Sequence, residues 1–486
     1  MCYLSQNMRK VAEMELGPTL VTTARTIVEM LREEHFDEVV ALFAPPLRAA
    51  VPAGALEAAW TAKLGERGPV TGIGDPDTEP AGAGLVRIGV PVHCERGDLT
   101  VLMSIDEGGL LQGLQLAPAT STAWTPPPYA DPAAFTEHDV TIDAGSSAVA
   151  GTLTVPSGPG SRPGVVLLPG GGPFDRDETS GPNKPLKDLA WGLACRGVAT
   201  LRFDKITHTR PEATSTPGFT MSDEYVPHAA AAVRLLRQES TVDDARVFVL
   251  GHSMGGKVAP RVAAAEPSVA GLLILAGDTQ PMHHAAIRVA RHLATVAPGL
   301  LGQDAVDLFA RQAANVDSPG LSPGTPAADL PFGFSASYWL DLRDYDPVAT
   351  AAALDRPMLI LQGGRDYQVT VEDDLSRWQA GLSSRPDVTI HVHADDDHLF
   401  FPGTGPSTPA DYEKPHHVDP AVIDDIADWL ASGRAKACPQ SQRTDWPDRS
   451  GPDMRWRHLS KRVAMARNCL SRPGPGCETR HRPCQR

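Results

Sequence analysis

Short apolar runs alternate with amphipathic helical patterns from residue 164 onward, and this alternation constrains the fold more than any other feature. The runs are bounded by Gly and Pro and have the length of strands: GVVLLPG, VATLRFD, RVFVLG, AGLLILAG, PMLILQGG and VTIHVHA. Strands without a polar face, separated by helices, are typical of a parallel sheet that helices cover on both sides. The sequence therefore predicts an α/β domain over residues 134–433.

A long insertion interrupts this series after the fourth run. Residues 279–340 contain two helical patterns, HHAAIRVARHLATV and QDAVDLFARQAA, and a stretch rich in Pro, Gly and Ser. Insertions of this length inside an α/β sheet are usually functional. We expect a helical cap over an active site, in which Tyr338 and Trp339 contribute either pocket surface or ordinary core packing.

The residues before the α/β domain predict a separate small unit. Helical periodicity within residues 18–116 is followed by three strand patterns, LVRIGVPVHC, DLTVLMSI and LLQGLQL, which short polar turns connect. Helices on one face of an antiparallel sheet make a small α+β domain. Residues 117–133 include three successive prolines and are predicted to be a linker.

The last part of the chain differs in charge and cysteine content. From residue 434 onward, 13 Lys and Arg stand against four acidic residues, a local charge of +9, whereas the first 433 residues carry −24. Four of the seven cysteines also lie there. Because these residues have no periodic apolar face, 434–486 are predicted to be a disordered, dispensable tail, with a basic interaction arm as the alternative.

Charge and cysteine usage restrict the partners and the compartment. A net charge of −15 argues against a nucleic-acid partner, because such binding needs a basic surface. No apolar stretch is long enough for a signal peptide or a membrane span, so we expect a cytoplasmic protein with no membrane partner. Three cysteines precede residue 434, so we expect no disulfide framework there. The sequence does not indicate an oligomeric state.

The sequence GHSMG at residues 251–255 matches the G-x-S-x-G pattern of a nucleophile elbow. The buried run RVFVL precedes it and the helical pattern MGGKVAPRVAAA follows it, so the serine lies between a strand and a helix. Glycines on both sides permit a tight turn, and the helix N-terminus favours developing negative charge. Ser253 is therefore the predicted nucleophile, with a buried serine in an ordinary turn as the alternative.

An activated serine needs a base and an orienting acid, which in this setting follow at the ends of later strands. Asp366 follows the run PMLILQGG, and His398 lies in the loop after VTIHVHA. Both lie at the carboxyl edge of the predicted sheet, so we expect them to converge on Ser253. Asp278 also follows a strand and is the alternative acid.

Polar residues just before His398 leave two further interpretations. Residues 395–397 are three aspartates, which we expect to form a solvated loop. His391 and His393 share one face of a strand, and together with these aspartates they have the residue types of a metal site. Spacing without a further placed ligand is weak support for a metal.

Ester or amide hydrolysis through a serine also needs donors for the tetrahedral oxyanion. The backbone N–H of Met254, directly after the nucleophile, is one candidate. The other is Gly171, in the glycine-rich loop PGGGP that follows the first parallel strand. A flexible glycine loop or a phosphate cradle is the alternative, but no Gly-Lys-Ser/Thr follows.

Four segments resemble one bacterial family: residues 164–205, GHSMGGKVAPRVAA, QGGRDYQVT and DDHLF. They are similar to esterase D-like serine esterases of the α/β-hydrolase fold, which are related to dienelactone hydrolases and often follow a small domain. The resemblance implies that Ser253 is the nucleophile, Asp366 the acid and His398 the base, with Gly171 and Met254 as the oxyanion hole. Where relatives commonly have HGSGP, this chain has PGGGP, so we expect its oxyanion loop to be held differently.

These observations predict a serine hydrolase that cleaves carboxylic esters of small molecules through an acyl-enzyme. We expect no cofactor and no metal. A serine peptidase or acyltransferase on the same fold is one alternative. A binding module without catalytic activity is the other alternative.

Overall fold

The computed structural model describes residues 20–80, 85–106, 108–118, 124–145, 147–296 and 302–432. The first helix, α1, spans residues 20–32. The helices that follow are α2 Phe36–Ala41, α3 Pro45–Ala50, α4 Ala53–Arg67, α5 Pro185–Ala194, α6 Ile206–Thr209, α7 Met221–Leu236, α8 Met254–Ala265, α9 Met282–Val296, α10 Gln303–Asp317, α11 Ala336–Arg343, α12 Pro347–Ala352, α13 Ser376–Gly381 and α14 Pro420–Ala431.

The strands form two sheets. In chain order they are β1 Val70–Ile73, β2 Asp77–Pro80, β3 Leu85–Cys94, β4 Leu99–Asp106, β5 Leu111–Pro118, β6 Phe135–Asp143, β7 Ala148–Pro156, β8 Arg162–Leu168, β9 Ala199–Phe203, β10 Val242–His252, β11 Leu272–Leu275, β12 Met358–Gly363 and β13 Val388–His393. The first five strands make one sheet and the remaining eight make the other.

The smaller sheet is antiparallel, with β3, β4 and β5 forming the meander that the sequence predicts. Buried residues alternate along β3 and β4 and pack with apolar residues of α1, α2 and α4, including Trp60, which is 1% exposed. The short strands β1 and β2 pair with β3 and were absent from the sequence prediction. Each has only four residues, and β1 is half-buried, so their apolar pattern is weak.

The larger sheet has the order β13-β12-β11-β10-β8-β9-β7-β6. The six strands from β13 to β9 are parallel, and β7 pairs antiparallel with both β9 and β6. Helices α7 and α8 lie on one face and α5 and α14 on the other, each over its own apolar cluster. This architecture confirms the predicted α/β-hydrolase fold.

Strand register aligns the carboxyl ends where the site was predicted. Gly251 of β10 pairs with Leu168 of β8, and His252 of β10 pairs with Leu275 of β11. Gly363 of β12 in turn pairs with His393 of β13. The loops that leave these strands therefore start from one edge of the sheet.

The predicted cap consists of α9, α10 and α11, joined in part by two 3₁₀ turns. In the segment predicted as a linker, Trp124 packs edge-on against Trp191 and donates a hydrogen bond to Asp188 Oδ1 at 2.7 Å. The predicted tail, 434–486, lies outside the described residues. Within the described part of the chain, no helix is both long and apolar enough to cross a membrane.

Candidate active site

Ser253 occupies a sharp turn between β10 and α8. Its φ of 52° lies in the left-handed region, which an L residue adopts only under strain. A Cβ at Gly251 would lie 2.1 Å from the Gly255 carbonyl oxygen, and one at Gly255 would lie 2.5 Å from that of Leu168. Both flanking positions of the motif therefore admit glycine alone, and the turn presents Ser253 at the sheet edge.

Three sequence-predicted residues are joined by hydrogen bonds. His398 Nε2 lies 3.1 Å from Ser253 Oγ, and His398 Nδ1 lies 2.7 Å from Asp366 Oδ2. The Asp366 side chain is fully buried, and its Oδ1 accepts from the backbone N–H groups of Gln368 at 2.7 Å and Val369 at 2.9 Å. This arrangement orients the imidazole so that Nε2 can take a proton from the serine.

The alternative acid, Asp278, contacts another partner. Its Oδ2 lies 2.6 Å from Lys257 Nζ, and the Lys257 side chain is 3% exposed. The histidines His391 and His393 face Asp425, at 2.9 and 3.2 Å. The acid that contacts His398 is Asp366.

The expectation of a solvated aspartate loop before His398 was wrong for two of its three residues. Asp396 is 1% exposed and Asp397 is 2% exposed. Asp397 Oδ1 accepts from the N–H groups of Leu399 and Phe401, and burial raises the pKa of Asp397 to about 6. Burial and the facing carboxyl of Asp419 raise the pKa of Asp396 to about 7. The hydrogen bonds of Asp397 to Leu399 and Phe401 hold the loop that carries His398.

The glycine-rich loop after β8 is anchored at Gly170. Its N–H donates to Glu178 Oε1 at 2.7 Å. Its carbonyl accepts from Lys205 Nζ at 3.0 Å and from Tyr225 OH at 2.6 Å. These contacts hold the loop in place although residue 169 is a proline. Gly171, the residue after Gly170, faces the cavity beside Ser253.

Gly171 and Met254 lie together, as the sequence predicts for the two oxyanion donors. A Cβ at Gly171 would lie 3.2 Å from Met254 Cε. Both residues line the cavity that also contains Ser253 and His398. Met254 is the first residue of α8, so its N–H is at the helix N-terminus, where backbone donors are available.

A buried polar network behind this loop escaped the sequence analysis. Lys205 Nζ lies 2.8 Å from Glu224 Oε1 and 2.7 Å from Tyr225 OH, and Tyr338 OH donates to Glu224 Oε2 at 2.5 Å. Burial lowers the pKa of Lys205, while the Glu224 carboxylate opposes that effect. Since these residues come from separate segments, no spacing in the sequence signals their meeting.

His252, the residue before Ser253, links the glycine loop to the loop that carries His398. Its Nδ1 lies 2.8 Å from Glu178 Oε1, and its Nε2 lies 2.8 Å from the carbonyl oxygen of His398. Burial lowers the pKa of His252 and the Glu178 carboxylate raises it, with a net rise. A protonated imidazole would donate to both oxygens, so it suits this position between two acceptors.

The site opens into a cavity of about 560 Å³. Apolar residues of the cap form much of its wall, and they include Met282, Ala285, Ala286, Val289, Ala290, Leu293, Phe309 and Phe332. Tyr338 and Trp339 belong instead to the hydrophobic core, at 5% and 0% exposure. Of the two interpretations for that pair, core packing is the one that the structure supports.

A serine at a strand-turn-helix elbow, bonded to a histidine and an aspartate from later strands, defines a hydrolase of the α/β type. Residues 165–412 match the model of the alpha/beta hydrolase family. Over 337 residues the chain is 37% identical to Esterase EstD of Thermotoga maritima, covering 69% of this chain and 77% of that protein. This chain belongs to the alpha/beta hydrolase family.

The chain also matches solved structures at lower sequence identity. Est1E from Butyrivibrio proteoclasticus is 17% identical, with a TM-score of 0.38 over 60% of this chain and 99% of that chain. Brefeldin A esterase, a bacterial homologue of human hormone sensitive lipase, is 19% identical, with a TM-score of 0.40 over 65% of this chain and 81% of that chain.

Proposed function

We propose that the protein hydrolyses carboxylic esters of small molecules, with Ser253 as nucleophile, His398 as general base and Asp366 as orienting acid. The observation that carries this proposal is the unbroken line of hydrogen bonds from Ser253 Oγ through His398 to Asp366, beside a largely apolar cavity. The similarity to a protein named as an esterase supports the ester as substrate.

In the proposed reaction, Ser253 Oγ attacks the acyl carbon and its proton passes to His398 Nε2. The oxyanion of the tetrahedral intermediate accepts from the N–H groups of Gly171 and Met254. His398 then donates the proton to the departing alcohol, which leaves an acyl-enzyme. Water, deprotonated by the same nitrogen, releases the acid and restores the serine.

The charges around the cavity favour a neutral substrate. Glu178, Asp278 and His398 are among the polar residues of a wall that is otherwise mainly aliphatic and aromatic. The Asp278 carboxylate is paired with Lys257. The described residues that line the cavity include no Lys or Arg, so an anionic acyl group would lose its hydration without meeting such a cation, which costs several kcal/mol. We propose uncharged, apolar esters as the substrate class.

The test of these roles combines active-site labelling with turnover. A fluorophosphonate should label wild type at Ser253 and leave Ser253→Ala unlabelled. Asp366→Asn should lower kcat by roughly 10³- to 10⁴-fold, because the imidazole loses the carboxylate that orients it. The matched control, Asp278→Asn, should keep most of the activity, since Asn can still accept from Lys257.

Other outcomes would point to the alternatives. Amide turnover comparable to ester turnover would favour a peptidase. Neither labelling nor turnover by folded wild type would favour a binding module. A large loss of kcat in Asp278→Asn with little change in Asp366→Asn, both folded by circular dichroism, would contradict the assignment of the acid.

Two broader assignments also remain proposals. We divide the chain into a small α+β domain (18–116), a linker (117–133), the hydrolase domain (134–433) with its cap (279–340), and a tail from 434. We also propose a cytoplasmic location. The free thiols of Cys94 and Cys195 support it, since thiols stay reduced in that compartment.

A further inference from the structure

Two consecutive histidines of the cap meet an aspartate of the neighbouring helix. His283 and His284 lie in the first turn of α9, and Asp317 is the last residue of α10. The distances are 2.8 Å from His283 Nε2 to Asp317 Oδ1 and 2.8 Å from His284 Nε2 to Asp317 Oδ2. One ligand atom from each residue lies within 4.8 Å of the other two, and within the described ranges no other His, Cys and acidic residues form such a group.

We propose that His283, His284 and Asp317 bind one divalent transition-metal ion, with Zn²⁺ preferred, and that the ion clamps α9 to α10. Imidazole nitrogen and carboxylate oxygen are ligands that Zn²⁺ accepts, and three protein ligands leave a fourth position for water. Ligand atoms about 2.0–2.2 Å from a tetrahedral zinc lie roughly 3.4 Å apart. The two His–Asp pairs here are 2.8 Å apart, and all three ligand atoms lie within 4.8 Å of one another, so side-chain rotations are needed to bring them to these distances.

The cluster lies at the surface of the cap. The His283 side chain is 3% exposed, whereas those of His284 and Asp317 are about half-exposed, which leaves the ion a path from solvent.

The position of the cluster in the cap gives the ion a structural effect. Helices α9 and α10 pack against each other, and the chain joins the end of α9 to the start of α10 through residues 297–302. His283 and Asp317 lie at the opposite, unconnected end of this helical pair. An ion there would close the pair, and α9 supplies Met282, Ala285 and Val289 to the cavity wall.

Calorimetry on the full-length protein tests the proposal without reference to ester turnover. After removal of metals by chelation, titration with ZnCl₂ at neutral pH should show a micromolar or tighter site. His284→Ala and Asp317→Asn should each weaken that site at least about tenfold. Both side chains are about half-exposed, so these variants should fold. His391→Ala is the matched control, because His391 is an exposed histidine with an aspartate partner.

Three results would overturn the proposal. The first is the absence of micromolar binding, and the second is an affinity that His284→Ala and Asp317→Asn leave unchanged. The third is a site lost in His391→Ala instead. Titration with Co²⁺ checks the cysteines: a thiolate charge-transfer band that persists in His284→Ala would place the ion on sulfur ligands and also refute the assignment.

Discussion

Replacing Tyr225 by Phe should slow catalysis by loosening the glycine loop that carries the proposed oxyanion donor. The Tyr225 hydroxyl donates to the Gly170 carbonyl at 2.6 Å and accepts from Lys205 Nζ at 2.7 Å, and the residue is 2% exposed. Phe fills the same space but offers neither contact. Gly170 then retains one partner on its carbonyl, Lys205 at 3.0 Å.

Two magnitudes follow from these contacts. Removing one partner from a buried hydrogen bond costs about 1–3 kcal/mol, so the free energy of unfolding should fall within that range. Loss of one complete oxyanion donor costs about 10²- to 10³-fold in kcat. Because Tyr225→Phe displaces Gly171 without deleting its N–H, we expect a smaller loss of kcat, about tenfold, with KM nearly unchanged.

The assay is steady-state turnover of a neutral aryl ester, together with urea unfolding of the same samples. Tyr345→Phe is the matched control, since its hydroxyl donates to the Lys257 carbonyl at 2.9 Å, outside the glycine loop. It should lose stability with little change in kcat. An unchanged kcat in Tyr225→Phe, or an equal fall in both variants, would refute the positioning argument.

Two further changes test the histidine loop and the cap. The folded-state pKa of Asp396, about 7, lies above its ordinary 3.8, so the stability it contributes at acidic pH is lost as the pH rises through about 7. Asp396→Asn should therefore raise the free energy of unfolding at about pH 8, by at most about 4 kcal/mol, and change it little at about pH 3, below both pKa values. Parallel pH profiles for both proteins in urea unfolding would contradict this. Val289→Trp should fill the cavity from α9 and lower kcat/KM for long acyl chains relative to short ones by about tenfold or more. Val296→Trp on the exposed end of the same helix should leave that ratio unchanged, and equal effects of the two substitutions would contradict the cap's role.

Local patterns in the sequence were sufficient to predict the elements that carry the triad candidates. An apolar run followed by GHSMG and a helical pattern specifies an elbow, because the steric limits at Gly251 and Gly255 are local to the turn. The parallel sheet then brings its carboxyl ends together, so residues after different strands become neighbours. For this reason Ser253, Asp366 and His398 could be named from the sequence and lie in hydrogen-bond contact in the structure.

Contacts between distant segments had no such local signal. The anchoring of Gly170 by Tyr225 and the burial of Asp396 depend on how strands and helices pack, and charged or polar residues at those positions are usually solvated. The cap shows the same division, since periodicity predicted its helices while packing placed Tyr338 in the core and Val289 on the cavity wall. The spacing of apolar residues and the steric limits of a turn depend on a few neighbouring residues, so the sequence alone predicts them. Desolvation and cavity shape depend on how distant elements pack, so only the tertiary structure decides them.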